Sequence, residues 1–259
     1  MGRLVLLIII LCISGRVYPQ TDSIKKRTEY FSIAGEGYFP TTTRIASDGN
    51  RSPLEYYRMP GFSLGGDYRR VSRKGFTIIT GLHYRKLPIS FQYTVRPSDY
   101  NGPPEWKTDH FERYANLSFG HVYVPFQLGY TVQSTSKRWT PSFMAGVNFN
   151  HLLSYSSQYY TILGDPGERI DLFEIEVTSP KNDNRIWTTY IANATVSRTL
   201  KRGNQFYIGL VANFSTTTVY NGRYAFFFKD GTQTGSYTDK GSYVGVHFGY
   251  SILRKAKKQ

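Results

Sequence analysis

The chain has 259 residues, a formal net charge of +14 and one cysteine, Cys12. A single cysteine excludes an internal disulfide and a thiolate metal cluster. Tyrosine, phenylalanine and glycine are abundant, with 22, 17 and 24 residues, a composition typical of a β-domain with one apolar and one wet face. The basic balance raises the question of nucleic-acid binding, but no aromatic and basic motif for reading bases occurs, so we expect no nucleic-acid partner.

The first residues of the chain predict export. Arg3 precedes an apolar run over residues 4–13, the small residue Ser14 follows, and residues 20–22 are polar. This layout is typical of a secretory signal peptide, and the apolar run is too short to span a membrane as a helix. We therefore predict a cleaved signal peptide over residues 1–20.

Two other interpretations of this start are open. The apolar run is a buried element of the fold in one of them, and Cys12 carries a lipid in the other. The bulky Leu11 disfavours a lipoprotein, because a small residue is expected before a lipid-modified cysteine. We expect one domain over residues 21–259, which ends in a short basic C-terminal tail.

Eight segments alternate between apolar and small or polar residues with a period of two, which predicts β-strands with one apolar face. Each segment has the roughly 9–11 residues that a tilted strand needs to cross the outer membrane. In chain order they cover residues 31–39, 62–69, 76–85, 122–130, 139–150, 190–196, 206–215 and 243–252.

Two of these segments are irregular. Leu117 and Phe119 are out of phase with the alternation that starts at Val122, so we expect a β-bulge between about residues 119 and 122. Trp187 and Ile191 blur the pattern of the sixth segment.

The connections between the eight segments alternate in length. The short ones cover residues 71–74, 133–138 and 201–204, and the long ones cover residues 40–57, 88–112, 155–185 and 219–240. Tight turns on one side and long loops on the other are typical of outer-membrane barrels, in which the turns are periplasmic. The sequence therefore predicts an all-β fold, an eight-stranded antiparallel up-and-down transmembrane β-barrel with long extracellular loops, in the outer membrane of a Gram-negative bacterium.

The long connections carry strand signals of their own. The alternation of the third strand continues past Pro88 to Val95, residues 171–177 alternate as well, and Asp230-Gly231 is a turn signal between two short extended stretches. We expect the strands to extend beyond the bilayer as a partly structured rim. A soluble lipocalin-like barrel is the alternative fold, but its interior would need large apolar side chains, whereas the non-apolar face here is rich in glycine, serine, asparagine and charge.

Charge is sorted between the two ends of the predicted barrel. All acidic residues except Asp22, Glu29, Glu36 and Asp67 lie in the four long connections. The predicted periplasmic end instead carries a basic rim, which includes Arg70, Arg73, Lys74, Lys137, Arg138, Lys201, Arg202, Arg254 and Lys255. Two interpretations stay open: the rim contacts outer-membrane lipid or a periplasmic protein, or it only keeps the turns solvated.

A second set of charged residues has inward parity, where an eight-stranded barrel has room only for side chains. The set is Glu36, Asp67, Arg69, His83, Arg85 and His247. Counting from the periplasmic end places Glu36 and His83 at similar heights and Arg85 one pair higher. Because an unpaired buried charge is costly, we expect a structural ion network that fills the lumen, with a proton or small-ion path as the alternative.

No catalytic residue, cofactor or metal site is predicted. Lipid A-modifying chemistry would need a histidine beside a nucleophile at the outer-leaflet interface. His151 has outward parity near Ser154, but no His-x-Ser pair lies on one face. The five histidines are scattered without metal-ligand spacing.

Two stretches carry a resemblance to a known group. The strand Val122–Tyr130, in which Pro125 precedes an apolar alternation, is similar to a strand of small outer-membrane β-barrel proteins of Bacteroidota, which include the PorT-like family. In the last strand, Gly245, Phe248 and Tyr250 resemble the insertion signal for the barrel-assembly machinery, although the chain continues beyond it. The resemblance implies a structural barrel, a secretion-system component or a protein of other role.

The sequence thus favours a non-enzymatic outer-membrane barrel whose extracellular loops bind a surface partner or serve a structural role. A periplasm-facing accessory of a secretion or assembly complex, acting through the basic rim, is the second hypothesis. A lipid-modifying enzyme is the third.

Overall fold

The computed structural model describes residues 27–49, 53–99, 109–132, 139–153, 156–163, 170–178 and 186–254. The predicted signal peptide over residues 1–20 lies outside the described residues, as do Lys137, Arg138 and Lys255. Within the described ranges, no helix is long and apolar enough to cross a membrane.

The described chain is built almost entirely of β-strands. They are β1 (Thr28–Pro40), β2 (Arg44–Ser47), β3 (Leu54–Tyr56), β4 (Gly61–Val71), β5 (Phe76–Val95), β6 (His110–Thr131), β7 (Trp139–Leu152), β8 (Ser156–Leu163), β9 (Ile170–Thr178), β10 (Ile186–Thr199), β11 (Gln205–Phe214), β12 (Tyr220–Phe228), β13 (Gly231–Asp239) and β14 (Tyr243–Leu253). Short 3-10 turns lie at Pro97–Asp99 and Lys201–Gly203.

Eight strands close into a barrel in the order β5-β4-β1-β14-β11-β10-β7-β6, and β6 pairs with β5 to complete the ring. Every pairing is antiparallel. The first and last strands meet over a long register, from Tyr30 beside Leu253 to Pro40 beside Tyr243. The predicted eight-stranded up-and-down barrel is therefore confirmed.

The outer surface of the barrel is apolar. Leu210 is 69% exposed and Ile33 is 67% exposed, although both are large aliphatic residues in the middle of paired strands. The belt continues on every barrel strand, for instance at Phe62, Leu82, Phe126, Phe149, Tyr190 and Phe248. Because apolar surface in water costs about 25 cal/mol per Å², a belt of this extent requires lipid around it. The fold is that of a transmembrane β-barrel.

A second sheet lies beyond one end of the barrel, in the order β2-β13-β12-β9-β8. Its strands come from the predicted long connections, and β12 and β13 form a hairpin that pairs Phe228 with Gly231. At the same end, β5 runs unbroken through Pro88 to Val95 and continues its pairing with β6. The expectation that the strands extend into structured elements beyond the bilayer is thus confirmed. These elements form a second sheet of five strands.

The second sheet packs on the upper parts of β5 and β6 through aromatic rings. Phe173 of β9 contacts Phe91 and Tyr93 of β5, with ring centroids 5.4 Å and 4.9 Å apart. Phe119 of β6 stacks on Tyr220 of β12 at 4.5 Å. These buried rings form one apolar core, so two layers of sheet are held face to face as in a β-sandwich.

This core explains the irregular segments. Phe119 shares its parity with His121 and Tyr123, and all three are buried inside the barrel. The predicted bulge between residues 119 and 122 is wrong: the pairing of β5 with β6 is continuous there and shifts only between Ile89 and Phe91. Phe119 looked out of phase because the interior changes from polar to apolar at its height.

A buried carboxylate joins the second sheet to the barrel. Asp239, the last residue of β13, accepts hydrogen bonds from Thr43 Oγ1 at 2.6 Å, Thr42 Oγ1 at 3.2 Å and the Gly241 backbone N–H at 2.6 Å. Burial raises the pKa of the Asp239 carboxyl, against the effect of these three donors. The bonds fix the corner at which the chain enters β14.

Phe173→Ala tests whether the aromatic core holds the second sheet. The substitution removes the ring shared by β5 and β12, so we expect a local loss of about 3–5 kcal/mol. Trypsin should then cleave at Arg223 and Lys229 faster, while the barrel keeps its folded mobility in an unboiled gel. Tyr160→Ala, on the exposed face of the same sheet, is the matched control. Equal protease resistance of the Phe173 variant and the wild type would contradict the account.

Candidate functional site

The described part of the chain offers three candidate sites: the filled lumen, the basic rim and the outer face of the second sheet. All six charged residues predicted to face the lumen are buried inside it, and none is more than 9% exposed. They come from β1, β4, β5 and β14, which are neighbours in the ring.

The centre of the lumen is a cluster around Glu36. Arg85 Nη2 lies 3.3 Å from Glu36 Oε2, and the Tyr243 hydroxyl donates to the same oxygen at 2.9 Å. Arg85 also donates to the Tyr243 hydroxyl. Its guanidinium carbon lies 4.1 Å from the ring centre of Tyr123 and 4.3 Å from that of Tyr243. One cation is thus compensated by a carboxylate and by two aromatic faces.

A second pair of side chains lies two residues further along β4 and β5, toward the end of the barrel that carries the basic rim. His83 Nε2 is 2.7 Å from Asp67 Oδ1, and the imidazole stacks on Tyr123 at 4.9 Å. Gly65 makes this possible, because a Cβ there would lie 2.4 Å from Cγ of His83. The His83 ring therefore crosses β4 at a residue that has no side chain.

The strand register corrects the predicted heights of the lumen residues. Glu36 is level with Ser63 and Arg85, and His83 is level with Gly65. The expectation that Glu36 and His83 share a height is wrong, because the stagger between β1, β4 and β5 cannot be counted from the segment ends. Two long side chains do meet across β4, and they are Glu36 and Arg85.

The remaining two predicted lumen residues lie at the edges of the cluster. His247 Nδ1 is 3.5 Å from Glu36 Oε1, and its ring stacks on Tyr207 at 5.2 Å. Arg69 donates to the side chain of Gln205 and lies 4.7 Å from the ring centre of Tyr30. Both side chains thus have a polar and an aromatic contact.

The sequence did not lead us to the uncharged polar side chains that fill the other half of the lumen. Gln127 accepts a hydrogen bond from Asn193 at 2.7 Å, and Asn148 donates to Asn213 at 3.1 Å. The tyrosines of the charged half were missed as well, because tyrosine counts as apolar in a period-two pattern while its hydroxyl is polar. Inward parity was the signal that could have found both groups. Together these side chains fill the lumen, as is usual in eight-stranded barrels.

The basic rim lies at the end of the barrel opposite to the second sheet. Arg70, Arg73, Lys74, Arg202 and Arg254 are exposed there, and Lys201 occupies the turn between β10 and β11. Glu29 is bridged by two further contacts, to Arg27 at 2.5 Å and to Arg254 at 3.4 Å.

The residues of the proposed insertion signal lie on β14. Phe248 is 45% exposed and Tyr250 is 40% exposed, both on the outer belt. Gly245 faces inward, where a Cβ would lie 2.3 Å from the Gly37 carbonyl oxygen. The outward aromatics are open to a protein or to lipid, and the recognition role stays a prediction.

The outer face of the second sheet forms a shallow groove of about 620 Å³. Its floor is made of small residues, Ala225 of β12 and Ser236 of β13, and one wall is made of Tyr160 and Glu174, which are paired across β8 and β9. The opposite side carries Asp48 beyond β2. Small residues between larger ones make this face concave.

The register lines up the polar side chains of the groove in rows. Gln158, Glu176, Arg223 and Ser236 follow one another on β8, β9, β12 and β13. Tyr160, Glu174, Ala225 and Thr234 form the next row on the same strands. The groove thus offers carboxylate acceptors, guanidinium and amide donors, hydroxyls and one aromatic face within a few strand spacings.

His151, the residue considered for catalysis, faces outward near the top of β7. Its partners on the neighbouring strands are Val122 and Ile186, so both adjacent positions are apolar and neither supplies a nucleophile. Among the residues that the structure describes, no group of three or more histidine, cysteine, aspartate or glutamate side chains is placed to hold a metal ion.

Comparisons with known proteins give structural similarity only. No protein-family model matches the chain, and no curated protein matches it significantly. OprG from Pseudomonas aeruginosa aligns over 87% of this chain and 96% of its own, with a TM-score of 0.44 and 10% identity. A major outer membrane protein from Thermus thermophilus aligns over 87% and 99%, with a TM-score of 0.43 and 10% identity. Neisserial surface protein A aligns over 86% and 98%, with a TM-score of 0.37 and 10% identity.

Arg85→Met tests the central lumen cluster. It leaves the Glu36 carboxylate buried without its cation, so we expect a loss of about 3–5 kcal/mol in the free energy of unfolding. Adding Glu36→Gln should recover part of that loss, because the uncompensated charge is gone. Urea unfolding in detergent micelles, followed by the mobility of the unboiled band, measures both.

Arg58→Met, an exposed change in the connection to β4, is the control and should stay within about 0.5 kcal/mol of the wild type. The loss of stability of the double variant is compared with the sum of the losses of Arg85→Met and Glu36→Gln. If the two are equal, Arg85 and Glu36 are not coupled.

Proposed function

We propose that the protein is a non-enzymatic integral outer-membrane barrel that binds a polyhydroxylated ligand, an oligosaccharide, on the outer face of its second sheet. The observation that carries the proposal is the groove of about 620 Å³ on that face. The barrel places this sheet beyond the apolar belt, and the aromatic core under it keeps the groove preformed.

The chemistry of the groove favours sugar hydroxyls over an apolar ligand. Glu174 and Glu176 accept hydrogen bonds from hydroxyl groups, while Arg223 and Gln158 donate to them. Tyr160 is 55% exposed and offers a flat apolar face against which the C–H side of a sugar ring can pack. The floor residue Ala225 leaves room for the ligand.

The filled lumen supports binding over transport. Arg85, Glu36 and Tyr243 occupy the centre of the barrel, and the Phe119–Tyr220 stack lies above them. An aqueous channel would require these side chains to be elsewhere.

The proposal also includes export by the N-terminal segment, outward orientation of the acidic connections, and origin in the group of small Bacteroidota barrels that includes the PorT-like family.

A second candidate function is that of a periplasm-facing accessory in a secretion or assembly complex. The exposed cations of the basic rim favour it, since they form a coherent charged surface at the opposite end from the groove. A partner of this kind would be an acidic periplasmic protein.

The groove is tested by Ala225→Trp in the full-length protein in lipid nanodiscs. The indole fills the floor without entering the aromatic core, which lies on the other face of the sheet. We expect at least a tenfold loss of binding to the neutral oligosaccharides that an immobilised panel shows to bind the wild type. Thr232→Trp, on the same face but at the hairpin tip, is the matched control and should bind normally.

Two results would overturn the proposal. One is the absence of any oligosaccharide in the panel that binds the folded wild type. The other is equal binding by the Ala225→Trp and Thr232→Trp proteins, which would place the site elsewhere.

A further inference from the structure

Three arginines continue the lipid-facing rows of the barrel at the end opposite to the second sheet. Arg70 follows Tyr68 on β4, Arg198 follows Val196 on β10, and Arg254 follows Ile252 of β14, each two residues further along the outward row. All three are exposed. They therefore lie where the apolar belt ends, on the side that faces lipid and not on the side that faces the lumen.

Arg198 has aromatic neighbours on both sides. The strand register places it between Trp139 of β7 and Phe206 of β11. Trp139 is 48% exposed and Phe206 is 43% exposed, and the guanidinium carbon lies 5.7 Å from the centre of the Trp139 ring. An exposed tryptophan is typical of the level of lipid headgroups, because its ring is apolar and its N–H is polar. The arginine is thus set at headgroup level by its neighbours.

Among the described residues, exposed cations outnumber exposed carboxylates on the surface at this end. The exposed cations there are Arg27, Arg70, Arg73, Lys74, Arg198, Arg202 and Arg254. Glu29 is the one carboxylate on this surface in the described ranges, and it is bridged to Arg27 and Arg254. Asp67, the nearest other acid on these strands, is buried in the lumen beside His83.

We infer that this end of the barrel binds the phosphate headgroups of anionic phospholipids in the periplasmic leaflet, with Arg198, Trp139 and Phe206 forming the main site. A guanidinium binds a phosphate through two parallel N–H donors. The rings of Trp139 and Phe206 flank the part of the lipid where the headgroup joins the acyl chains. At Arg198 itself a soluble acidic protein fits less well, because this residue lies between two residues that face the membrane and the lipids would separate it from such a partner.

Quenching of tryptophan fluorescence by brominated lipids tests the inference on the full-length protein in vesicles. Dibrominated phosphatidylglycerol and dibrominated phosphatidylcholine are compared at the same low fraction in a phosphatidylcholine background, and the part of the signal lost in Trp139→Phe is assigned to Trp139. We expect phosphatidylglycerol to be enriched at Trp139 by about fivefold, the ratio that ~1 kcal/mol per basic residue near anionic headgroups produces. Raised salt should reduce the enrichment.

The variants separate the site from a general effect of charge. Arg198→Gln should bring the enrichment close to one, and Arg198→Lys should keep part of it. Arg58→Gln, an exposed change in the connection to β4, should leave it unchanged. If Arg198→Gln does not fold, as judged by heat-shift mobility, the comparison of Arg198→Lys with the wild type at low and high salt carries the test.

Several outcomes would overturn the inference. Equal quenching by the two lipids in the wild type, or enrichment that survives Arg198→Gln, would mean that no headgroup site exists there. Loss of the enrichment on adding inorganic phosphate at constant ionic strength would indicate a site for a soluble anion. Capture of an acidic periplasmic protein that protects Trp139 from both lipids would assign the rim to a protein partner.

Discussion

The structure depends on one constraint: inside a bilayer no water is available to satisfy the backbone, so every strand needs a partner on both edges. The chain meets this constraint by pairing β1 with β14 over eleven residue pairs, from Tyr30 with Leu253 to Pro40 with Tyr243. Closure then determines the rest. The outward residues face lipid and are apolar, while the inward residues are confined to a narrow lumen, where Arg85, Glu36 and their neighbours must compensate one another.

The inward side chains of the same strands are polar at one height of the barrel and apolar at another. Along β5 the inward residues are Thr77, His83 and Arg85 where lipid surrounds the barrel, and they become Leu87, Ile89, Phe91 and Tyr93 beyond it. Beyond the bilayer the outer face is wet, so the apolar surface moves inside and packs against β9 and β12. The second sheet therefore needs no separate domain to support it. The lower parts of β5 and β6 belong to the barrel wall, and their upper parts pack against the second sheet.

The period-two alternation was sufficient to predict the strand count, the inward set of charges and the extension of β5 beyond Pro88. It could not give heights, because Glu36 and His83 are matched through the stagger of three strands and not through their distance from a turn. It also could not give the second sheet, whose five strands come from three separate connections and pair over long sequence distances. The groove depends on that pairing: Tyr160, Glu174 and Ala225 form one row only after β8, β9 and β12 have met.

The central claim is that the outward row faces lipid and the inward row fills the lumen, and spin labels on β11 test it most directly. Leu210→Cys lies on the belt and is 69% exposed, and Val211→Cys points inward at 3% exposure. In lipid vesicles, the account predicts that a nitroxide at residue 210 is relaxed by oxygen, which concentrates in the bilayer, and not by a water-soluble nickel complex. A nitroxide at residue 211 should be relaxed weakly by both. Ready access of the nickel complex to residue 210 would contradict the account.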